Sequence, residues 1–269
     1  MNKVQVAGAT VSYRVDGDGP ALVLVSGTGG NLHSNWDHLV PALTPQRTVV
    51  RVDYSGAGDT EDDGRALSVE MLAAQVVAAA KAAGATPFDL VGYSLGAAVS
   101  IQIAAAHPEL VRSVVLLAGF ASAQDTRLQL QSDLWNDLIR LHPRLFARMI
   151  LLTGFRPDFL ASLRDDEINA WIDAICSVNR WDGIVRQIEL DGTLDVRPQL
   201  PRIRQPTLVI GCSHDHIVPP SHSRALAAAI PGARYAELDS GHLAPFERAE
   251  EFVRMVLGFI TQDEFSPAT

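Results

Sequence analysis

Over the first 119 residues the apolar positions switch repeatedly between two periods. "TVSYRV" (10–15) alternates apolar and polar side chains, the mark of a half-buried strand. "ALVLVS" (21–26) is a short continuous apolar run, as a strand covered on both faces requires, and "TVVRVD" (48–53) reads as another strand. "SVEMLAAQVVAAAKAAGA" (68–85) then repeats apolar residues at helical spacing, with Ser68 placed to cap the helix and Gly84 near its end. "PFDLVGY" (87–93), "SLGAAVSIQIAAAHP" (94–108) and "VRSVVLLAG" (111–119) continue as strand, helix, strand. Such alternation predicts an α/β fold: a mostly parallel, doubly wound sheet with helices on both faces.

From about 120 to 200 the strand period disappears. "TRLQLQSDLWNDLIRLHP" (126–143), "PRLFARMILLTG" (143–154) and "DDEINAWIDAICSVNRWDGIVRQI" (165–188) all read as helices. The earlier rhythm returns with "PTLVIG" (206–211), "PSHSRALAAAI" (220–230), "ARYAELD" (233–239) and "ERAEEFVRMVLGFIT" (247–261). The expected organisation is one core built from residues 1–119 and 201–269, with residues 120–200 inserted as a helical cap. Its expected place is over the carboxyl ends of the strands, where ligands bind in such sheets. Trp135, Phe146, Met149, Phe155, Phe159 and Trp171 make the insertion too apolar for a free surface segment, so some of them must face the sheet domain or a ligand.

Composition narrows the choice modestly. A chain of 269 residues fits one large domain and buries a core that needs no staples. Its net charge of −9 argues against nucleic acid or an anionic membrane as partner and leaves a small-molecule substrate. Cys176 and Cys212 are too few for a disulfide framework and read as small buried hydrophobes. The N-terminus has no apolar signal region, and no run of about 18 apolar residues offers a membrane span, so the expected setting is cytoplasmic. No feature of the sequence speaks to oligomeric state.

The candidate chemistry lies in "FDLVGYSLGAAVS" (88–100), where Gly92, Ser94 and Gly96 form a Gly-x-Ser-x-Gly pattern. The pattern alone is weak, since a chain of this length carries one by chance roughly one time in ten. Its position between a strand and a helix is what a nucleophile elbow requires: a serine at a strained backbone angle, with flanking positions too crowded for side chains. A serine hydroxyl is a poor nucleophile near neutral pH, so it needs a base, and the base needs an orienting acid. In such folds they follow in the order acid, then histidine. "LVIGCSHDHIVPP" (208–220) puts Asp215 just beyond one strand, and "AELDSGHLAPFE" (236–247) puts His242 just beyond the next. All three residues are expected at one edge of the sheet.

Other readings of nearby residues are weaker. "SGTGGNL" (26–32) followed by Asp53 imitates a dinucleotide-binding fingerprint, but Leu32 stands where the third glycine belongs. His214, His216 and His222 do not complete a metal site, because Asp215 has a better role and Val218 interrupts the pattern. His33, His38, His107 and His142 read as surface or locally bonded residues. Asp53 reads as a loop organiser, Trp36 as packing under the glycine-rich loop or else lining the pocket, and "DTEDDG" (59–64) as a solvated acidic loop.

The sequence resembles the α/β-hydrolase superfamily over nearly its whole length. The matching pieces are "LVLVSGTGG", "VDYSGAGDT", "LVGYSLGAAVSIQIAAAHPELVRSVVLLAG", "PTLVIGCSHDHIVPP" and "SGHLAPFERAEEF". By this resemblance Ser94 is the nucleophile, Asp215 the acid and His242 the base, and the backbone N–H groups of Thr28 and Leu95 form the oxyanion hole. One departure stands out: the loop that usually begins His-Gly begins Ser26-Gly27 here. The Thr28 hydroxyl is then either a third oxyanion donor or a locally bonded side chain. The implied function is hydrolysis of an ester, thioester or related acyl bond of a small, fairly apolar molecule through an acyl-enzyme, with no metal and no organic cofactor. Relatives of this fold also include acyltransferases, C–C bond hydrolases, cofactor-free haloperoxidases and lyases that eliminate an acyloxy group. A serine in place of a carboxylate argues against the haloalkane dehalogenase branch. A non-catalytic ligand receptor is the alternative outside enzymes, and the intact Ser, Asp and His set argues against it.

Overall fold

A computed structural model of the chain describes residues 1–261. Its centre is a nine-stranded sheet. β1 (Asn2–Val6) and β2 (Ala9–Asp16) form an antiparallel hairpin at one edge. Next come β3 (Ala21–Val25) and β4 (Thr48–Asp53), with β4 antiparallel to β2 and parallel to β3. The two-residue β5 (Glu61–Asp62) pairs with the start of β2. β6 (Phe88–Tyr93), β7 (Val111–Leu117), β8 (Thr207–Cys212) and β9 (Arg234–Leu238) then extend the parallel part, giving the order β1-β2-β4-β3-β6-β7-β8-β9. The chain order reverses between β3 and β6, and at such a point the loops leaving the two strands separate and open a crevice.

Alternation along the strands sorts side chains to two cores. In β3, Ala21, Val23 and Val25 belong to one core, with Leu72 and Val76 of α2 (Val69–Ala82) and with α3 (Leu95–Ala106). Leu22 and Leu24 belong to the other, with Leu43 of α1 (Val40–Leu43) and Phe252, Val253 and Val256 of α11 (Ala249–Ile260). The capping expectation at Ser68 holds, since its side chain accepts the N–H of Met71. α3 is apolar almost all round because it is buried almost all round.

Between β7 and β8 run five α-helices, α4 (Thr126–Leu141), α5 (Pro143–Gly154), α6 (Pro157–Ser162), α7 (Asp165–Val178) and α8 (Trp181–Asp191), followed by a 3₁₀ helix (Arg197–Arg202). The chain leaves and re-enters the core through a narrow neck: Ala123 N–H donates to Leu194 O (2.9 Å) and Val196 N–H to Ala121 O (2.8 Å). The segment 165–188, which reads as one helix, breaks at Asn179 and Arg180, both extended. Neither glycine nor proline marks the break. The Arg180 guanidinium donates to Thr60 O in the core, and this tertiary contact turns α8 away from α7. β1 and α6, absent from the pattern, are mostly exposed, so burial writes no period into them. α9 (Pro220–Ala229), α10 (Ala244–Glu247) and α11 complete the chain. Among the described residues no helix is long and apolar enough to cross a membrane.

Candidate active site

Ser94 sits between β6 and α3 with φ 55° and ψ −119°, a conformation non-glycine residues rarely adopt. The neighbouring glycines permit it. A β-carbon at position 92 would stand closer than 3.0 Å to Gly96 O, and one at 96 closer than 3.0 Å to the backbone oxygens of Val25 and Ser26. The elbow thus needs β3 packed against it as much as it needs its own turn.

The same strand edge carries Asp215, three residues past β8, and His242, four past β9. His242 Nε2 lies 3.1 Å from Ser94 Oγ, and its Nδ1 lies 2.7 Å from Asp215 Oδ2. With its hydrogen on Nδ1, the ring satisfies Asp215 and leaves Nε2 free to accept from the serine. The other Asp215 oxygen accepts the N–H groups of Ile217 (2.8 Å) and Val218 (2.7 Å), which pins the carboxylate. Tyr93 holds the histidine from below, its hydroxyl donating to His242 O at 3.0 Å. All three candidate residues are buried, Ser94 at 8% exposure.

The glycine-rich loop after β3 faces Ser94. Its N–H groups are almost all taken: Gly27 by Asn35 Oδ1, Gly29 by Gln187 Oε1, Gly30 by Gly27 O, Asn31 by Ser34 Oγ and Leu32 by Asp53 Oδ1. Among the described residues the N–H of Thr28 has no partner, and neither has that of Leu95 at the start of α3. The loop is braced without the customary histidine. Ser26 Oγ accepts the buried Trp36 indole N–H (2.9 Å), and Ser26 O accepts the Tyr54 hydroxyl (2.7 Å). The Thr28 hydroxyl is not a spare donor. It donates to Asp191 Oδ2 at 2.5 Å, so of the two alternatives for this hydroxyl the bonded one holds, with a partner far along the chain.

Above Ser94 opens a cavity of about 740 Å³. Trp135, Phe146, Leu151, Trp171, Ile175 and Leu243 supply much of its apolar wall, and His33, Asn35, Asp53, Asp59, Asn179 and Arg180 lie toward its polar side. Of the cap residues singled out in the sequence, Trp135, Phe146 and Trp171 line this space. Phe155 is instead enclosed within the cap, its ring 4.9 Å from Phe159 and 5.5 Å from Trp171. Asp53 organises its loop, accepting the N–H groups of Leu32 and Asp59, and burial raises its pKa. The acidic loop is not wholly solvated: Asp62 is buried in an ion pair with Arg186 of α8 (3.0 Å). His214 and His222 pair with Asp239 and Asp125, and no group of residues among those described could hold a metal ion. Sequence reasoning missed Asn35, eight residues from its partner Gly27, and also Tyr54, Gln187 and Asp191, whose partners lie too far along the chain to leave a local pattern.

This chain is similar to a pyrrolizixenacetamide deacetylase from Xenorhabdus hominickii, 53% identical over 98% of this chain and 99% of that protein. Among solved structures it resembles an enol-lactonase from Burkholderia xenovorans LB400, with TM-score 0.86 and 27% identity over 97% of this chain and 100% of that one. It also shares the fold of MGS-M2, an alpha/beta hydrolase enzyme from a Medee basin deep-sea metagenome library, with TM-score 0.91 and 21% identity over the full length of both. Residues 20–249 match the family model described as alpha/beta hydrolase fold, and the chain belongs to that family.

Proposed function

We propose that this enzyme is a serine hydrolase that removes a small acyl group, an N-linked acetyl foremost, from a compact and largely apolar molecule. The observation that carries the reading is the relay from Ser94 Oγ through His242 to Asp215, facing two unpaired N–H groups under an apolar cavity. The amide bond and the acetyl group rest on the deacetylase that matches this chain end to end at 53% identity.

The chemistry follows from the atoms present. Ser94 Oγ attacks the acyl carbon while His242 Nε2 takes the hydroxyl proton. The carbonyl oxygen becomes an oxyanion held by the N–H groups of Thr28 and Leu95. Asp215 fixes the tautomer of His242 and stabilises the imidazolium. That imidazolium gives its proton to the leaving nitrogen as the C–N bond breaks, so an amine departs and an acyl-serine remains. Water then attacks the acyl carbon, His242 takes its proton and returns it to Ser94, and the carboxylic acid leaves. Apolar cap residues exclude bulk water around the charged intermediates, and their contacts fix which acyl and amine groups fit.

A single-turnover reaction in ¹⁸O-labelled water tests this, using an N-acetyl 2-arylethylamine and the matching 2-arylethyl acetate. One ¹⁸O in the acetate and none in the amine or alcohol is expected, together with no turnover by Ser94→Ala. Unlabelled acid accompanied by an alkene would assign the enzyme to the eliminating lyases. Tight binding without turnover would make it a receptor.

A further inference from the structure

The cap joins the core at the proposed oxyanion loop through one helix. On α8, Gln187 and Asp191 stand four residues apart and therefore on one face. Gln187 Oε1 accepts the N–H of Gly29 (2.9 Å) and Asp191 Oδ2 accepts the hydroxyl of Thr28 (2.5 Å). These bonds span 158 and 163 residues of sequence. They grip the two residues on either side of the Thr28–Gly29 peptide, directly next to the unpaired Thr28 N–H.

The helix itself is firmly seated. A β-carbon on Gly183 would approach the Gly56 backbone closer than 3.0 Å, so the first turn of α8 lies directly on the core. One turn on, Arg186 pairs with the buried Asp62, which also accepts the N–H of Gly56. Gln187 and Ile188 have no exposed surface. A Gln side chain pointing from such a helix costs little further ordering, which suits it to hold a glycine in place. Asp191 is partly exposed as a residue, yet its carboxyl is enclosed and its Oδ1 has no partner. A carboxyl oxygen placed there without compensation is costly, and the bond to Thr28 is its one hydrogen bond.

We propose that Gln187 and Asp191 are positioning residues for the reaction: from the cap, they fix the rotation of the Gly27–Thr28 and Thr28–Gly29 peptides so that the Thr28 N–H points at the developing oxyanion. The inference rests on the serine hydrolase reading above and adds the cap helix to it. α8 is then less a lid than the far wall of the oxyanion hole. Because the bonds support a donor that acts on the oxyanion, their loss should weaken transition-state binding more than substrate binding.

The test uses full-length protein, 4-nitrophenyl acetate as substrate and phenylboronic acid as the probe that forms a tetrahedral adduct on the serine. Removing an oxyanion donor outright costs about 10²–10³-fold in kcat, and releasing its support should cost about ten- to a hundredfold. Thr28→Val removes the hydroxyl, keeps the side-chain shape and leaves α8 untouched. Its kcat should fall by about that factor with KM within about twofold, and phenylboronic acid should bind more weakly by the same factor. Thr28→Ser should recover most of both losses. Asp191→Asn combined with Thr28→Val should be little worse than Thr28→Val alone, because without the Thr28 hydroxyl residue 191 has no bond to that loop left to lose. Gln187→Met should act in the same direction, so the proposal stands or falls even where Asp191→Asn folds poorly. Unchanged kcat and boronic acid affinity in Thr28→Val and Gln187→Met would overturn the proposal, and so would equal losses in every parameter tracking a lowered melting temperature. Turnover surviving Ser94→Ala would instead remove the serine hydrolase reading, whatever the α8 variants do.

Discussion

Asp191→Asn should change how stability depends on pH, and the structure sets the size of the change. Burial holds the Asp191 carboxyl in its neutral form, raising its pKa from 3.8 to about 7, partly opposed by the bond from Thr28. Among the described residues no cation pairs with it, and Tyr54 is the other titratable group that senses its charge. In the unfolded chain the same carboxyl loses its proton near its ordinary value. Between the two values the folded protein therefore binds one proton more than the unfolded chain, and stability falls as pH rises. From 3.8 to about 7 is roughly three factors of ten in proton affinity, which at about 1.4 kcal/mol each comes to about 4 kcal/mol. By pH 5 about a third of that cost is already present, and above about pH 8 all of it is. An asparagine keeps an acceptor for Thr28 and carries no charge at any pH. Urea unfolding of both proteins at pH 5, 6, 7 and 8 measures the difference directly. The wild type should lose about 2–3 kcal/mol relative to Asp191→Asn between pH 5 and pH 8 and then level off. Taking the difference cancels the carboxylates whose shifts run the other way, such as Asp62 and Asp239. A difference that stays flat across this range would mean that the carboxyl is hydrated and ionised in the folded protein, and the burial argument would fail.

Three further outcomes follow from the same contacts. Asp215→Asn should keep the fold and lower kcat by about 10⁴-fold through the wrong imidazole tautomer, and a loss below about tenfold in a steady-state assay would point to another acid. Trp171→Ala opens the apolar wall of the cavity and should shift the preferred acyl length of 4-nitrophenyl esters upward. An unchanged ranking of kcat/KM would remove Trp171 from the specificity surface. Phe155→Ala, enclosed in the cap, should lower stability by about 3–5 kcal/mol in urea unfolding while leaving that ranking largely in place.

How much of this could be read from the sequence depended on the range of the interaction involved. The strand and helix alternation up to residue 119 is local periodicity, because each strand of the parallel core is covered on both faces, and the elements it marks appear within about three residues of where the pattern puts them. The elbow is legible for a related reason. The strain at Ser94 and the crowding at positions 92 and 96 demand particular residue types in a window of five. Asp215 and His242 are legible only because each follows a recognisable strand, and parallel strands deliver their following loops to one edge. The break between α7 and α8 is different. Residues 165–188 carry helical spacing throughout, and the chain bends at Asn179 and Arg180 because of a contact with Thr60, 120 residues away. No window of the sequence contains that information.

The glycine-rich loop after β3 shows the same limit with greater consequence. Ser26 in place of the customary histidine looks, in sequence, like a weakened loop. Its bracing has moved elsewhere: to Trp36 and Asn35 within ten residues, to Tyr54 just past β4, and to Gln187 and Asp191 on α8. The first two lie within reach of a careful local reading. Gln187 lies in a segment that reads as an ordinary helix and Asp191 just beyond the end of that reading, where a glutamine and an aspartate four residues apart are normally a solvated face. What distinguishes them is burial, which only the fold decides. A residue far along the chain that is polar, buried and bonded to a catalytic loop is therefore the kind that motif reading overlooks. The same geometry ties the other side of the cap to the histidine loop, where Leu243 N–H donates to Gly154 O at the end of α5 (2.8 Å). With one cap helix gripping the loop beside Thr28 and another gripping the residue next to His242, the cap holds both sides of the proposed catalytic geometry. Changes made in it to alter the cavity should be kept to the lining faces of α4, α5 and α7 and away from these two seams.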